Sequence, residues 1–147
     1  MRTYFDTSYL VALYVPNAHS PAALRHRTRN GNEPIVFTPL HRLELRTTVR
    51  QCAFSHLITP TAARQILNYI HEDLADGTLM HQGFQWTESL REAEAVAERQ
   101  AWDKSCRSLD LWHVAAALQM TAESFVTFDK DQFALAKAEG LATTYPR

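Results

Sequence analysis

Little in this chain points to a membrane protein or a secreted scaffold. It has only four glycines, six prolines and two cysteines in 147 residues. The apolar run near its start, Tyr9 to Val15, is far shorter than the ~20 residues that a membrane-spanning helix needs. Two cysteines are too few for a disulfide framework, and no basic and apolar leader precedes Asp6. We therefore expect a soluble, cytoplasmic protein with reduced thiols and no membrane contact.

The balance of apolar and charged residues indicates a folded globular protein. Apolar residues make up 46% of the chain and charged residues 21%, which is typical of globular domains. A chain of this length is the size of one ordinary domain. It contains no linker, internal repeat or low-complexity segment. We predict a single domain that spans residues 1–147.

Charge is distributed unevenly along the chain. The formal net charge of −1 argues against a uniformly basic nucleic-acid binder. However, residues 25–50 contain six arginines and two acids, whereas residues 72–98 contain seven acids and one arginine. Arg42, Arg46 and Arg50 are spaced by four and lie along one side of a predicted helix. This arginine row is a candidate for contact with phosphates; a solvated face paired with acids elsewhere is the alternative.

Signals for strands and helices alternate along the chain. Aromatic and β-branched runs predict strands at 2–5, 34–39, 125–128 and 141–145, with a further edge strand within 79–86. Apolar spacing, Ser-Pro and Thr-Pro starts and glycine stops predict helices at 8–15, 20–30, 40–56 and 60–76, then from Ser89, from Ser108 and at 132–139. Strands that alternate with helices imply an α/β fold with a parallel sheet covered on both faces.

Four acidic residues occupy positions where elements begin or end. Asp6 and Asp129 each follow a predicted strand, Asp110 lies in the first turn of the helix that Ser108 is expected to cap, and Glu44 interrupts an apolar helix face. Singly, each of these acids is more often a turn cap or a solvated side chain. Because ligands bind at the carboxyl ends of parallel strands, we expect the four to converge there. Carboxylates are the oxygen ligands that Mg²⁺ and Mn²⁺ prefer.

Such a constellation is suited to hydrolysis of a phosphodiester bond. A bound divalent ion lowers the pKa of a coordinated water and stabilises charge on phosphoryl oxygens. An aspartate-based phosphotransferase or a receiver domain is the rival enzyme class. A haloacid-dehalogenase-like site has a second Asp where Ser8 stands here, and a receiver has a late lysine after a strand, whereas Lys130 follows Asp129 directly. These differences favour the hydrolase.

The same residues carry a resemblance to a known family. The matching segments are, in order, Asp6-Thr-Ser before an apolar helix, Glu44 within a helix, Asp110 followed by His113, and Thr127-Phe-Asp129-Lys-Asp131. Together they resemble the PIN-domain ribonucleases, in particular the VapC-type toxins of prokaryotic toxin–antitoxin pairs. The resemblance covers nearly the whole chain. It implies a PIN-like three-layer α/β/α sandwich with a mainly parallel sheet of about five strands.

The resemblance also implies an activity and its residues. It implies a toxin that cleaves RNA as an endoribonuclease with Mg²⁺ or Mn²⁺, forms a homodimer and is inhibited by a cognate antitoxin in its groove. The implied metal ligands are Asp6, Asp110 and Asp129, and Glu44 positions the attacking water or a second ion. Thr7, Ser8 and Thr127 are expected to supply hydroxyl groups that hold the metal-binding carboxylates in place. Arg42, Arg46 and Arg50 are expected to hold the RNA.

Other interpretations stay open at this point. A non-catalytic module that binds RNA or protein is the alternative function, because a fold alone does not determine an activity. Asp131 belongs either to the site or to a solvated loop. His113 is expected in the core or as an orienting residue, because hard metal ions prefer oxygen ligands. The three tryptophans are expected in the core rather than stacked on bases; they are Trp86, Trp102 and Trp112.

Overall fold

The computed structural model of the protein describes residues 2–147. Within them, helices and strands follow one another as β1 (Thr3–Phe5), α1 (Thr7–Tyr14), α2 (Ser20–Arg29), β2 (Ile35–Phe37), α3 (Pro39–Phe54), α4 (Pro60–Asp76), β3 (Leu79–His81), α5 (Trp86–Gln100), α6 (Ser108–Gln119), β4 (Ser124–Val126), α7 (Lys130–Ala138) and β5 (Ala142–Thr144). None of the helices described has the length and apolar content to cross a bilayer. The chain forms two compact units. The first unit contains the described residues up to Asp6 and Gly83–Pro146, and the second contains Thr7–Gln82 with Arg147.

The first unit is built on a parallel sheet with strand order β1-β4-β5. Phe5 pairs with Val126, and Val126 pairs with Thr144. The rings of Tyr4 and Phe125 stack with their centroids 5.4 Å apart, in a core that also receives apolar residues of α5, α6 and α7. Since β1 and β4 run in register, the residues that follow them, Asp6 and Thr127, leave the sheet side by side.

The second unit contains the parallel pair β2-β3 and the helices α1 to α4. Its helix ends follow local sequence signals. The side chain of Thr59 accepts a hydrogen bond from the backbone N–H of Ala62 at the start of α4, and Gly77 ends that helix in the left-handed region with φ of 86°. The start of α3 is capped reciprocally, because the Thr38 hydroxyl accepts from the backbone of His41 and the His41 ring accepts from the backbone of Thr38.

The predicted fold class is confirmed. The described residues form an α/β structure with five strands, and the strand pairs β1-β4, β4-β5 and β2-β3 are all parallel. Hydrogen bonding groups the strands three and two, one group in each unit. The single domain that the sequence predicts stays a prediction.

Five helices begin differently from the prediction, and two of them, α1 and α3, begin only one residue early, at Thr7 and Pro39. The α5 helix begins at Trp86 instead of Ser89, and Ser89 lies within the helix, where its buried hydroxyl accepts a hydrogen bond from the Trp112 indole. In α6, Ser108 is the first helical residue and Arg107 occupies the cap position. The α7 helix begins at Lys130, two residues early, with Asp129 as its cap.

The tryptophans are less buried than predicted. Trp102 is 89% exposed, so its assignment to the core was wrong. Trp86 is about half exposed. Trp112 is partly buried, and its ring stacks on Phe84 at 5.9 Å and meets Trp86 edge-on at 5.3 Å. The cluster of Phe84, Trp86 and Trp112 therefore covers one side of the first unit without entering its main core.

An ion pair joins the C-terminal ends of α5 and α7, and it should make stability depend on pH. Arg99 contacts both carboxylate oxygens of Glu139 (Nε to Oε1 3.0 Å, Nε to Oε2 3.2 Å), and Gln100 donates to Oε2 at 2.6 Å. Burial raises the pKa of Glu139, but the hydrogen bonds from Arg99 and Gln100 outweigh it, so the pKa lies below its ordinary value. A lowered pKa in the folded state stabilises the protein above the unfolded pKa, and this contribution is lost as the pH falls through the folded pKa.

We expect Glu139→Gln to lower the free energy of unfolding by about 1 kcal/mol at pH 7, because Arg99 is half exposed and solvent screens the pair. Urea unfolding of both proteins at pH 7 and pH 3 measures the difference. It should shrink at pH 3, below the ordinary pKa of about 4.3 for a glutamate. A difference that is equal at both pH values would contradict the assigned role of the ion pair.

Candidate functional site

Asp6 and Thr127 meet at the carboxyl ends of β1 and β4. The backbone N–H of Asp6 donates to the carbonyl of Val126 at 3.1 Å, which extends the strand pairing by one residue. The Thr127 hydroxyl donates to Oδ2 of Asp6 at 2.6 Å. Asp6 is 3% exposed and Thr127 is fully buried. The hydroxyl therefore fixes the orientation of a buried carboxylate at the edge of the sheet where ligands bind in parallel sheets.

Asp129 joins the same network through its backbone and caps α7 with its side chain. Its backbone N–H donates to the Thr127 hydroxyl at 2.9 Å. Its Oδ1 accepts from the backbone N–H groups of Asp131 at 2.8 Å and Gln132 at 3.1 Å. Because capping occupies Oδ1 in this way, Oδ2 is the oxygen available to a cation. The sequence pattern placed Asp129 after a strand but did not predict the cap.

Asp110 is held at the start of α6 by the residue that precedes the helix. Its Oδ2 accepts from the backbone N–H and from the side-chain Nε of Arg107, both at 3.3 Å. Asp110 is 7% exposed. The second N–H end of the same guanidinium lies 3.4 Å from Oδ2 of Asp129. One arginine side chain thus links two of the predicted metal ligands.

Sequence reasoning missed Arg107. The hydrogen bond to Asp110 and the charges of Asp110 and Asp129 raise the pKa of Arg107, so its guanidinium is charged. The only signal in the sequence was a basic residue three positions before Asp110. That spacing is compatible with a local ion pair, but the contact with Asp129, 22 residues away, depends on how α6 and α7 pack.

The donors in the first unit fit a hard divalent cation in chemical type. Asp6, Asp110 and Asp129 supply carboxylate oxygens, and two of them already contact a cationic group. The described residues do not include a group of three or more His, Cys, Asp or Glu side chains arranged as a ready metal cage. The structure brings the three aspartates into one network through Thr127 and Arg107.

Glu44 and its neighbours lie in the second unit. The Thr7 hydroxyl, in the first turn of α1, donates to Oε1 of Glu44 on α3 at 2.8 Å. Thr7 is buried, and Glu44 and Ser8 are partly buried. Glu44 therefore has a hydrogen-bond donor of the kind that an inward-facing carboxylate requires. The hydroxyl predicted from Thr7 contacts Glu44, whereas the hydroxyl predicted from Thr127 contacts Asp6.

The arginine row lies along α3. Arg42 and Arg50 are exposed and Arg46 is partly buried. Burial lowers the pKa of Arg46, and the positive charges of Arg42 and Arg50 lower it further. Within residues 2–147, none of the three forms an ion pair with an acid. The three charges therefore form a basic patch rather than the set of paired charges that the alternative interpretation required.

Two further residues of the sequence motifs can be assigned from their surroundings. His113 is buried, and its Nδ1 lies 2.6 Å from the hydroxyl of Tyr4. This agrees with a core or orienting role. Asp131 is exposed at the start of α7 and contributes its backbone N–H to the Asp129 cap.

The chain is similar to a known protein family. The chain matches the PIN domain over residues 3–138. It belongs to the PIN-domain family. The match spans both units and includes all four of the acids singled out in the sequence. No curated protein matches the chain.

Solved PIN-like structures agree with the fold. VapC20 of Mycobacterium tuberculosis, described as a Sarcin-Ricin loop cleaving toxin, superposes with a TM-score of 0.68 over 95% of both chains at 16% sequence identity. FitAcB from Neisseria gonorrhoeae superposes with a TM-score of 0.63 over 97% of this chain and 96% of the other, at 17% identity. At such low identity these likenesses establish the fold alone.

Proposed function

We propose that this PIN-domain protein is a metal-dependent endoribonuclease that acts as the toxin of a toxin–antitoxin pair. The observation that carries the proposal is the network at the ends of β1 and β4, in which the Thr127 hydroxyl contacts both Asp6 and the backbone of Asp129. Family membership and the similarity of the fold to a toxin described as cleaving the Sarcin-Ricin loop support it. The VapC-type assignment follows from the sequence resemblance.

Mg²⁺ or Mn²⁺ would be held by Asp6, Asp110 and Asp129. Such an ion acidifies a coordinated water and stabilises charge on the phosphoryl oxygens. Asp6 presents a carboxylate whose orientation Thr127 fixes, and Asp129 offers Oδ2 while its Oδ1 caps α7. Hydrogen bonds therefore fix the orientation of the carboxylates of Asp6 and Asp129.

Glu44 is proposed to orient the attacking water. The resemblance supplies this role, and the hydrogen bond from Thr7 supports it, because a fixed carboxylate is better placed to accept a proton from water. Ser8, next to Thr7, is proposed to supply a further hydroxyl. Catalysis by this set would hydrolyse a phosphodiester bond of RNA.

Digestion of RNA tests the proposed activity. We expect the purified protein to cut total RNA with Mn²⁺ present, to stop when EDTA is added and to resume when Mn²⁺ is restored, with cut ends that cluster at few positions when they are mapped. Binding of RNA without cleavage under all of these conditions would overturn the proposal. It would favour the non-catalytic binding module instead.

A cognate antitoxin, a homodimer and a cytoplasmic location complete the proposal, and they rest on the family resemblance. Co-purification with the product of a small neighbouring gene tests the antitoxin. Sedimentation of the free protein at micromolar concentration tests the dimer.

The basic patch on α3 is proposed to hold RNA phosphates. Its three arginines, Arg42, Arg46 and Arg50, have no acidic partner among the described residues. We expect Arg46→Ala to weaken RNA binding severalfold and to reduce the slope of log affinity against log salt by about 1, because one phosphate contact is lost. Fluorescence anisotropy with a catalytically inactive Asp6→Asn background at 50 to 200 mM salt, about the range in which such contacts matter, gives both quantities.

Arg64→Ala is the matched control for this experiment. Arg64 is an exposed arginine on α4, outside the basic patch. Its removal changes the net charge equally, so a general charge effect would appear in both variants. An unchanged salt slope in Arg46→Ala would place the patch outside the RNA interface.

A further inference from the structure

Arg107 is the residue whose contacts the proposed chemistry leaves unexplained. Its Nε lies 3.3 Å from Oδ2 of Asp110, and its terminal nitrogen lies 3.4 Å from Oδ2 of Asp129. A guanidinium has five N–H donors in a rigid fork, so it can bridge two carboxylates where an ammonium would favour one. The Arg107 side chain therefore lies between the carboxylates of Asp110 and Asp129 in the first unit.

Arg107 contacts two of the carboxylates that a metal ion would need. Oδ1 of Asp129 is occupied by the backbone of α7, which leaves Oδ2 for a cation, and that oxygen faces Arg107. On Asp110, the same Oδ2 accepts both Arg107 contacts. At Asp129 the divalent ion and the guanidinium therefore require the same oxygen, and at Asp110 the guanidinium places a positive charge against the carboxylate that the ion would bind.

The side chain can leave these oxygens at little cost to the fold. The Arg107 side chain is 74% exposed, so its withdrawal exposes almost no apolar surface. The backbone N–H of Arg107 can still donate to Oδ2 of Asp110 when the side chain moves away. Ion pairs of such exposed groups contribute little to stability.

We propose that Arg107 is a positioning residue that acts as a built-in counter-ion: its guanidinium pairs Asp110 with Asp129 in the metal-free protein and is displaced by the divalent ion. The inference rests on the proposed function, because it concerns the same metal site. Without a cation, close carboxylates repel one another and favour protonation. Arg107 removes that repulsion, and it sets the ion concentration at which the site fills, because the ion must compete with a positive charge.

Titration of Mn²⁺ by isothermal calorimetry tests the competition. Arg107→Gln removes the charge and keeps much of the length, so we expect it to bind Mn²⁺ about tenfold more tightly than the wild type, as expected for the loss of one positive charge near a divalent ion in a solvated site. Arg107→Lys keeps the positive charge, so its affinity for Mn²⁺ should stay within about threefold of that of the wild type, because the charge is what competes with the ion. Arg91→Gln is the control, because Arg91 is an exposed arginine on α5 in the same unit.

The side chain itself provides a second readout. In the wild type, addition of Mg²⁺ should shift the NMR signal of the Arg107 Nε–H group, because its hydrogen bond to Asp110 is broken. Equal or weaker Mn²⁺ binding by Arg107→Gln, or an unchanged Nε–H signal at saturating Mg²⁺, would overturn the inference while the proposed nuclease stands. A wild type that binds neither ion would overturn the proposed metal dependence as well.

Discussion

Asp6→Asn and Asp110→Asn should each abolish RNA cleavage while the fold survives. Each substitution removes a negative charge that the ion needs and leaves the size of the side chain almost unchanged. We expect activity to fall by more than about 100-fold, because loss of even an outer-shell partner of a metal typically costs 10–100-fold. Cleavage rates at saturating Mn²⁺, measured together with calorimetric Mn²⁺ binding, give the result.

Asp103→Asn is the matched control for these two variants. Asp103 is a well exposed acid in the first unit that, within the part of the chain that the structure describes, forms an ion pair with its neighbour Lys104. It should retain wild-type cleavage and Mn²⁺ affinity. Circular dichroism and melting curves of all three variants confirm that the chains are folded. Nuclease activity retained in both Asp6→Asn and Asp110→Asn would contradict the assignment of the site.

Thr127→Val should impair stability and activity together. The Thr127 hydroxyl is fully buried, donates to Asp6 at 2.6 Å and accepts from the backbone of Asp129 at 2.9 Å. Valine has nearly the same shape but leaves both partners without this hydroxyl. We expect the free energy of unfolding to fall by about 1–3 kcal/mol. We also expect cleavage to fall by about tenfold or more, because Asp6 loses the donor that orients it. Urea unfolding and cleavage rates measure the two effects.

Thr3→Val separates the two effects. Thr3 lies on β1 of the same sheet, and its hydroxyl forms a 2.7 Å hydrogen bond with Ser124, at the end of the strands away from Asp6. Its replacement should lower stability and leave the activity of the folded protein unchanged. A Thr127→Val protein that is destabilised but fully active would show that the hydroxyl serves the fold alone.

The positions of the acids in the first unit could be predicted because local residue types determine where elements end. Tyr4-Phe5 and Phe125-Val126 form strands, so Asp6 and Thr127 leave the sheet at the same edge. Gly77 likewise ends α4 where predicted, since a left-handed residue is easiest for glycine. Signals of this kind lie within a few residues of the feature that they predict.

Features that depend on distant partners could not be read from the sequence. Ser89 matches a capping box in spacing. In the structure it lies within α5, and its hydroxyl accepts a hydrogen bond from Trp112, 23 residues away. Arg107 contacts Asp129 only because α6 and α7 are packed together. Trp102 was expected in the core because aromatic residues at helical spacing are more often buried, yet its indole donates to the backbone of Glu98 and its ring remains exposed. The contacts of Ser89 and Arg107 are tertiary contacts with no local signature, and the exposure of Trp102 reflects the lack of such a contact around its ring among residues 2–147.

The most direct test of the central claim is a crystal of the protein soaked in Mn²⁺ and measured at the manganese absorption edge. The prediction is an anomalous peak within coordinating distance of carboxylate oxygens of Asp6, Asp110 and Asp129, with the Arg107 side chain turned away. Asp6→Asn crystals treated in the same way should lack the peak. A fully soaked wild-type crystal with manganese only elsewhere, or with no manganese, would contradict the claim that these aspartates form the metal site.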